Sequence, residues 1–249
     1  MSIDIAEIDH RIGLIREDLM KVSTATACQL LDQLGWRNTY MLGLAPLREL
    51  GEGNRIVGRA RTCRYLMRRA PQGPHDPEAR RKSAEIVTIE SLQPGEIMCV
   101  DALGLPTAGI IGDILSTRMR VRGAVAAMIY GSVRDTVAVK DVGLPVFCKG
   151  MHPGASGREL AAVDHDLPIN MGGAQVIPGD VILADDEGAI AMPIDLAEHV
   201  AKKGPEKEEL EIWIRSKVDA GGSVHDYYPP TVEKAAEYER ETGKSTGSN

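Results

Sequence analysis

Twenty residues separate Asp113 from the pair Arg134-Asp135, and the stretch between them, ILSTRMRVRGAVAAMIYGSV, leaves few ways to fold. From Asp113 to about Arg122 it carries helix formers, with Ile114, Leu115, Met119 and Val121 apolar. Ala124 to Tyr130 is a short, nearly all-apolar run between Gly123 and Gly131, which favours a buried strand over a second helix. Ten helical residues at about 1.5 Å each and six or seven strand residues at about 3.3 Å each span similar lengths. If the strand returns antiparallel to the helix, the helix start meets the strand end. One edge then gathers Asp113, Arg134, Asp135 and the amides of Gly112 to Leu115. Two carboxylates, a guanidinium and a helix N-terminus suit a hard cation and an anionic small molecule.

The rest of the chain bounds the alternatives. With 249 residues, 43% of them hydrophobic, it can bury a large core. A formal net charge of -7 argues against a broad basic face for nucleic acid, and Arg68, Arg69, Arg80, Arg81 and Lys82 read as a solvated loop. Cys28, Cys63, Cys99 and Cys148 lie far apart without a CxxC pair and read as reduced, mostly buried thiols. The polar start and the lack of a long apolar run predict a cytoplasmic protein with no membrane span and no direct nucleic-acid partner.

Ile5, Ile8, Ile12, Ile15 and Leu19 recur at helical spacing, and Ser23 or Thr24 can cap a second helix through Leu34. Strands are expected over Ile56 to Tyr65, Glu96 to Asp101, Leu144 to Cys148, Val163 to Ile169, Ala174 to Ile177, Val181 to Ala184 and Ala189 to Met192. Arg68 to Arg81, with three prolines, reads as an exposed loop that need not touch the chemistry, and Ser83 to Leu92 as a short helix. Gln93-Pro94-Gly95-Glu96 and Ile177-Pro178-Gly179-Asp180 echo each other as type II turns entering apolar strands. After Pro193 two charged helices are expected, Asp195 to Lys203 and Pro205 to Val218, then an aromatic tail suited to docking on another subunit and a disordered GKSTGSN.

The Asp, twenty residues, Arg-Asp spacing resembles the signature of the family that holds class II 4-hydroxy-4-methyl-2-oxoglutarate/4-carboxy-4-hydroxy-2-oxoadipate aldolases and the RraA-like proteins. VGRARTCR at 57–64, GLPVFCKG at 143–150 and IPGDVILADDEGAIAMP at 177–193 extend the resemblance from about Ser23 to Pro193. It implies an α/β fold with a swivelling β/β/α, phosphohistidine-domain-like core and helical N- and C-terminal extensions. The parts would be residues 1–22, a core over 23–194, and 195–249. It also implies a homotrimer or hexamer with sites at subunit interfaces.

Retro-aldol release of pyruvate leaves an enolate, which a lysine Schiff base or a metal ion can stabilise. On the family pattern Asp135 binds Mg2+ or Mn2+ directly and Asp113 through water. Arg134 takes a carboxylate or keto oxygen and neutralises the enolate. The amides of Gly112, Asp113, Ile114 and Leu115 receive the carboxylate of a 2-oxo acid. In PEKEELE, Glu208 or Glu209 would approach a neighbouring subunit's metal through water. The same parts would decarboxylate oxaloacetate.

Plainer readings stand beside these. Asp135 could cap a helix next to a surface arginine, and Asp185, Asp186 and Glu187 before Gly188 form a hairpin turn more readily than a metal cluster. His152 and His165 lack zinc spacing, nothing marks Lys140 or Lys149 as Schiff-base lysines, and GASG at 154–157 is too short for a phosphate loop. Function could be a lyase on a 4-hydroxy-2-oxo acid, a related enzyme of sugar-derived oxo acids, or a non-catalytic regulator that binds and inhibits RNase E, as RraA proteins do.

Overall fold

The apolar run after Asn54 becomes the longest strand, β2 (Ile56–Met67), and the sheet is organised around it. The computed structural model describes residues 4–69 and 76–246. Ahead of β2 come α1 (Ile5–Leu19), α2 (Thr24–Gln33) and the two-residue β1 (Ala45–Pro46). After it the chain alternates through α3 (Pro77–Arg81), α4 (Ala84–Ser91), β3 (Glu96–Asp101), α5 (Asp113–Val121), β4 (Ala126–Val133), α6 (Thr136–Val142) and β5 (Val146–Met151). Strands β2, β3, β4 and β5 pair in parallel in that order, as strand-helix-strand connections require. Helices α4, α5 and α6 bring Ile89, Met119 and Val139 against Met98, Val100 and Ile129 in one core.

The rest of the sheet is antiparallel. It comprises β1 beside β5, β6 (Leu160–His165), β9 (Val181–Asp185) and β10 (Gly188–Met192), while β7 (Ile169–Met171) and β8 (Ala174–Val176) form a separate hairpin. The first part of β2 pairs with β9 and its last part with β6, which is why it runs so long. The single strand expected over Val163 to Ile169 is thus two, broken where Asp166 turns left-handed (φ 54°) and Pro168 offers no N–H. The two Pro-Gly turns match each other. Glu96 N donates to Gln93 O at 3.2 Å and Asp180 N to Ile177 O at 3.0 Å. In each, the acid's carboxylate also accepts the first residue's amide, at 2.8 Å.

The third core joins both ends of the chain. Ile12 and Leu19 of α1, Leu30 and Leu31 of α2, and Val200 of α7 (Ile194–Asp219) bury Val57, Leu183 and Ile190 of the sheet. The expected pair of helices after Pro193 is this one helix of 26 residues, running through Pro205. An internal proline costs about 3 kcal/mol. Burial of Ala197, Val200 and Ala201 before it and of Trp213 and Ile214 after it outweighs that cost. Gly204 permits the close approach, since a Cβ there would meet Val22 Cγ1 at 2.7 Å.

Beyond the main body, α8 (Val224–Tyr227) and α9 (Val232–Thr242) fold back on the end of α7. Tyr227 and Tyr238 meet the Trp213 ring edge-on at 5.6 and 5.2 Å, so these tail aromatics pack within their own chain. Gly243 closes α9 left-handed, and the last three residues of GKSTGSN lie outside the described residues. All four cysteines are free; Cys63, Cys99 and Cys148 are buried and Cys28 partly so, and burial pushes the Cys63 thiol up to about 12. Among the described residues no helix is long and apolar enough to cross a membrane.

Candidate active site at the carboxyl edge of the parallel strands

Loops at the carboxyl ends of parallel strands face the crevice where α/β sheets receive ligands. Here Gly109 to Ile111, between β3 and α5, runs extended beside the end of β4. Ile110 N donates to Ser132 O at 2.8 Å and Arg134 N to Ile111 O at 2.9 Å. On its other side Gly109 N donates to Gly154 O at 2.7 Å and Ser156 N to Gly109 O at 3.0 Å. This ladder fixes the start of α5 against the end of β4. Both glycines are needed for the approach: a Cβ on Gly109 would meet His152 O at 2.5 Å, and one on Gly112 would meet Asp135 Oδ2 at 2.6 Å.

The helix-strand unit read from the sequence therefore closes as expected, with Asp113 and the Arg134-Asp135 pair at one edge. Gly112 is the N-cap of α5 and no side chain caps it, so the first-turn amides lack a side-chain partner. Arg134 Nε donates to Asp135 Oδ2 at 2.9 Å, with the two side chains 39% and 41% exposed. Asp135 precedes α6 with φ 51° and ψ 37°, a left-handed backbone uncommon outside glycine, and its carboxylate makes no capping bond. The plain helix-capping reading of Asp135 fails on that point.

A cleft of about 540 Å³ opens here, bounded by Gly112 to Leu115, Arg134, Asp135, Ala155 to Gly157, Ile86 and Arg80. The last is a correction. The proline-bearing stretch Arg68 to Arg81 reads from the sequence as an exposed loop that need not touch the chemistry. Its end is α3, which brings Arg80 to the cleft wall, while residues 70–75 lie outside the described residues. Arg80 Nη2 lies 3.2 Å from Glu85 Oε2. The signal for it was Glu85 itself, an acid on the buried face of α4 beside Ala84, Thr88 and Ile89. The Gly-Ala-Ser-Gly stretch, too short for a phosphate loop, also reaches the cleft, where Ser156 N holds Gly109.

Other candidates lie elsewhere. Lys149 stacks over Tyr130 at 4.7 Å, and Lys140 borders a different depression, beside Leu47 and Pro145, so neither meets the cleft. His152 accepts the Gly154 amide at 3.0 Å and His165 pairs with Asp166 at 2.9 Å. Asp185 ends β9, opposite Gly188 of β10, and accepts the Thr24 amide at 2.8 Å, so the acidic run is a hairpin turn that also caps α2. Glu208 accepts the Ser23 amide at 2.8 Å and Glu209 pairs with Lys244; both stand on α7, away from this chain's own cleft.

Among the described residues no three His, Cys, Asp or Glu side chains gather as a metal cluster. Asp113 and Asp135 nonetheless suit Mg2+ or Mn2+, which bind through one or two carboxylates and keep several waters. The uncapped, half-exposed Asp135 carboxylate is the observation that fits.

Comparisons with known proteins bear on the family and the fold. Residues 24–191 match the RraA-like family, described as Aldolase/RraA. Protein DlpA of Legionella pneumophila is 23% identical over 89% of the chain, which spans only 34% of DlpA. A provisionally named 4-hydroxy-4-methyl-2-oxoglutarate aldolase of Halalkalibacterium halodurans is 27% identical over 65% of this chain and 71% of its own length. The crystal structure of Streptomyces coelicolor RraAS2, described as an unusual member of the RNase ES inhibitor RraA protein family, superposes with a TM-score of 0.72. It is 32% identical and covers 82% of this chain and 96% of its own. The α/β core expected from the sequence is thus the one these proteins share, and the chain belongs to the RraA-like (Aldolase/RraA) family.

Proposed function

We propose that the protein is a divalent-metal-dependent lyase that cleaves a 4-hydroxy-2-oxo acid to release pyruvate and decarboxylates oxaloacetate as a side activity. The observation that carries this is Asp135: strained left-handed, uncapped, and tied to Arg134 beside a helix start. Strain of about 1 kcal/mol or more persists where function requires it. The first-turn amides of α5 receive the substrate's carboxylate, favoured by the positive end of the helix. Arg134, a planar fork of fixed charge, holds the 2-oxo group and counters negative charge as the carbon-carbon bond breaks. An Mg2+ or Mn2+ ion held by Asp135, with Asp113 reaching it through water, would supply the further positive charge that an enolate needs. Gly109 and Gly112 let these groups converge, and Ile86, Ile110 and Leu115 give the cleft an apolar wall.

The aldolase name of the Halalkalibacterium relative supports this reading. Family precedent supports a cytoplasmic trimer or hexamer in which α7 brings Glu208 or Glu209 toward a neighbour's site. Glu209, exposed in its pair with Lys244, is the more accessible of the two, because the Glu208 carboxylate is occupied by Ser23. A second reading, a regulator that binds RNase E, is favoured by the likeness to RraAS2. Pyruvate release from oxaloacetate separates the two. Turnover that needs Mg2+ or Mn2+, stops with EDTA and disappears in Arg134→Ala and Asp135→Ala establishes the lyase. A rate equal to that of free metal in buffer, with variants like wild type, sinks it and leaves binding to the endonuclease as the measurement to make.

A further inference from the structure

The cleft holds one more guanidinium than a 2-oxo monocarboxylate requires. Arg134 and the α5 amides account for the carboxylate and the oxo group, yet a second guanidinium, Arg80, stands on the same wall next to Ile86. It is held in position at both ends. Its amide donates to Asp76 O at 3.1 Å, and its carbonyl accepts from Ser83 Oγ at 2.8 Å and Ser83 N at 3.1 Å, at the junction of α3 and α4. Its tip meets Glu85, whose side chain is only 3% exposed and whose other oxygen accepts the Tyr65 hydroxyl at 2.5 Å. Tyr65 itself is buried. A surface ion pair needs no such support. Arg80 remains 50% exposed, and the Glu85 contact engages one terminal nitrogen of a five-donor fork.

We propose that Arg80 is a specificity-determining residue that recognises an anionic group at the end of the substrate far from its 2-oxo acid, with Glu85 and Tyr65 as positioning residues beneath it. This rests on the preceding reading of the cleft. Burial raises the Glu85 pKa, which agrees with a carboxylate that depends on Arg80 and Tyr65 for its charge. A fixed fork binds a carboxylate in two-point fashion, so discrimination against an uncharged tail should be large.

The test is calorimetric binding to the full chain in Mg2+ of 2-oxoglutarate, which carries a distal carboxylate, and 2-oxobutanoate, which does not. Arg80→Ala should weaken 2-oxoglutarate by about tenfold or more and leave 2-oxobutanoate within about twofold. Arg80→Lys should recover part of the loss, and Glu85→Gln should fall between. Should Arg80→Ala unfold because Glu85 is left buried and unpaired, the double variant Arg80→Ala/Glu85→Gln removes that charge and carries the same expectation. Equal weakening of both ligands, or none of either, overturns the assignment of Arg80 while leaving the oxo-acid site standing. If neither ligand binds wild type, the reading of the cleft fails and this proposal falls with it.

Discussion

Replacing Asp135 separates the strain at the site from its chemistry. At φ 51° an L-residue crowds its own Cβ, at a cost of about 1–2 kcal/mol that Asp partly escapes and Gly escapes entirely. Asp135→Ala therefore incurs the full left-handed cost, whereas Asp135→Gly trades it for about 0.4–1 kcal/mol of extra unfolded-state freedom. Both lose the same half-exposed pair with Arg134, worth about 0–1 kcal/mol. The common terms cancel, and the alanine variant should be less stable than the glycine variant by about 1 kcal/mol. In urea, followed by far-UV circular dichroism, that is a midpoint lower by roughly 0.3–0.5 M at equal slope. Both variants should lose oxaloacetate decarboxylation alike. An alanine variant as stable as the glycine one would refute the claim that strain is held at Asp135.

Gly112→Ala places a Cβ at 2.6 Å from Asp135 Oδ2 without any backbone conflict, since φ is −128°. Decarboxylation should fall by about a hundredfold with a thermal midpoint close to wild type, and steady-state kinetics beside a melting curve checks both. Gly204→Ala gains about 1 kcal/mol of helix propensity but presses on Val22, so a net loss of about 1 kcal/mol is expected. Val22→Ala should then be less harmful in the Gly204→Ala background than alone, as a double-mutant cycle in urea would show. Burial lifts the Asp180 carboxyl from 3.8 to about 6, against the opposing pull of the Ile177 amide. The folded chain thus holds that proton more tightly than the unfolded one, and stability falls as pH rises from about 4 through 6. Asp180→Asn keeps an acceptor for Ile177 and should flatten that slope, gaining at most about 3 kcal/mol at pH 8. Unfolding at pH 4 and pH 8 decides it, and an unchanged slope would be contrary to expectation.

Local chemistry made much of the fold legible. Ser23 caps α2, and Gly95 and Gly179 take the positive φ that both Pro-Gly turns demand. The convergence of Asp113 with Arg134 and Asp135 was legible for the same reason: a helix and a strand of matched length, bounded by glycines, bring their ends together when the strand returns antiparallel, as it does. What sequence pattern could not show depends on contacts between distant segments. Pro205 reads locally as a helix start, and only the burial of α7 against α1 and α2 keeps the helix continuous through it. Arg80 sits in a proline-rich, charged stretch that looks solvated, and only Glu85 and Tyr65, folded beneath it, turn it toward the cleft.

The aromatic cluster at the end of α7 also decides what an optical experiment on this protein reports. The chain has two tryptophans and they sit in unlike surroundings. Trp36 is exposed just past α2, whereas Trp213 is buried among Tyr227, Tyr238 and Ile214 and donates to Glu241 at 2.7 Å. The Trp213 cluster is separate from the three cores that hold the sheet. Intrinsic fluorescence is therefore a gauge of the carboxyl-terminal arm. A spectral transition on warming that precedes loss of the sheet signal would mark the arm detaching as its own cooperative unit while the cleft edge of the sheet stays folded.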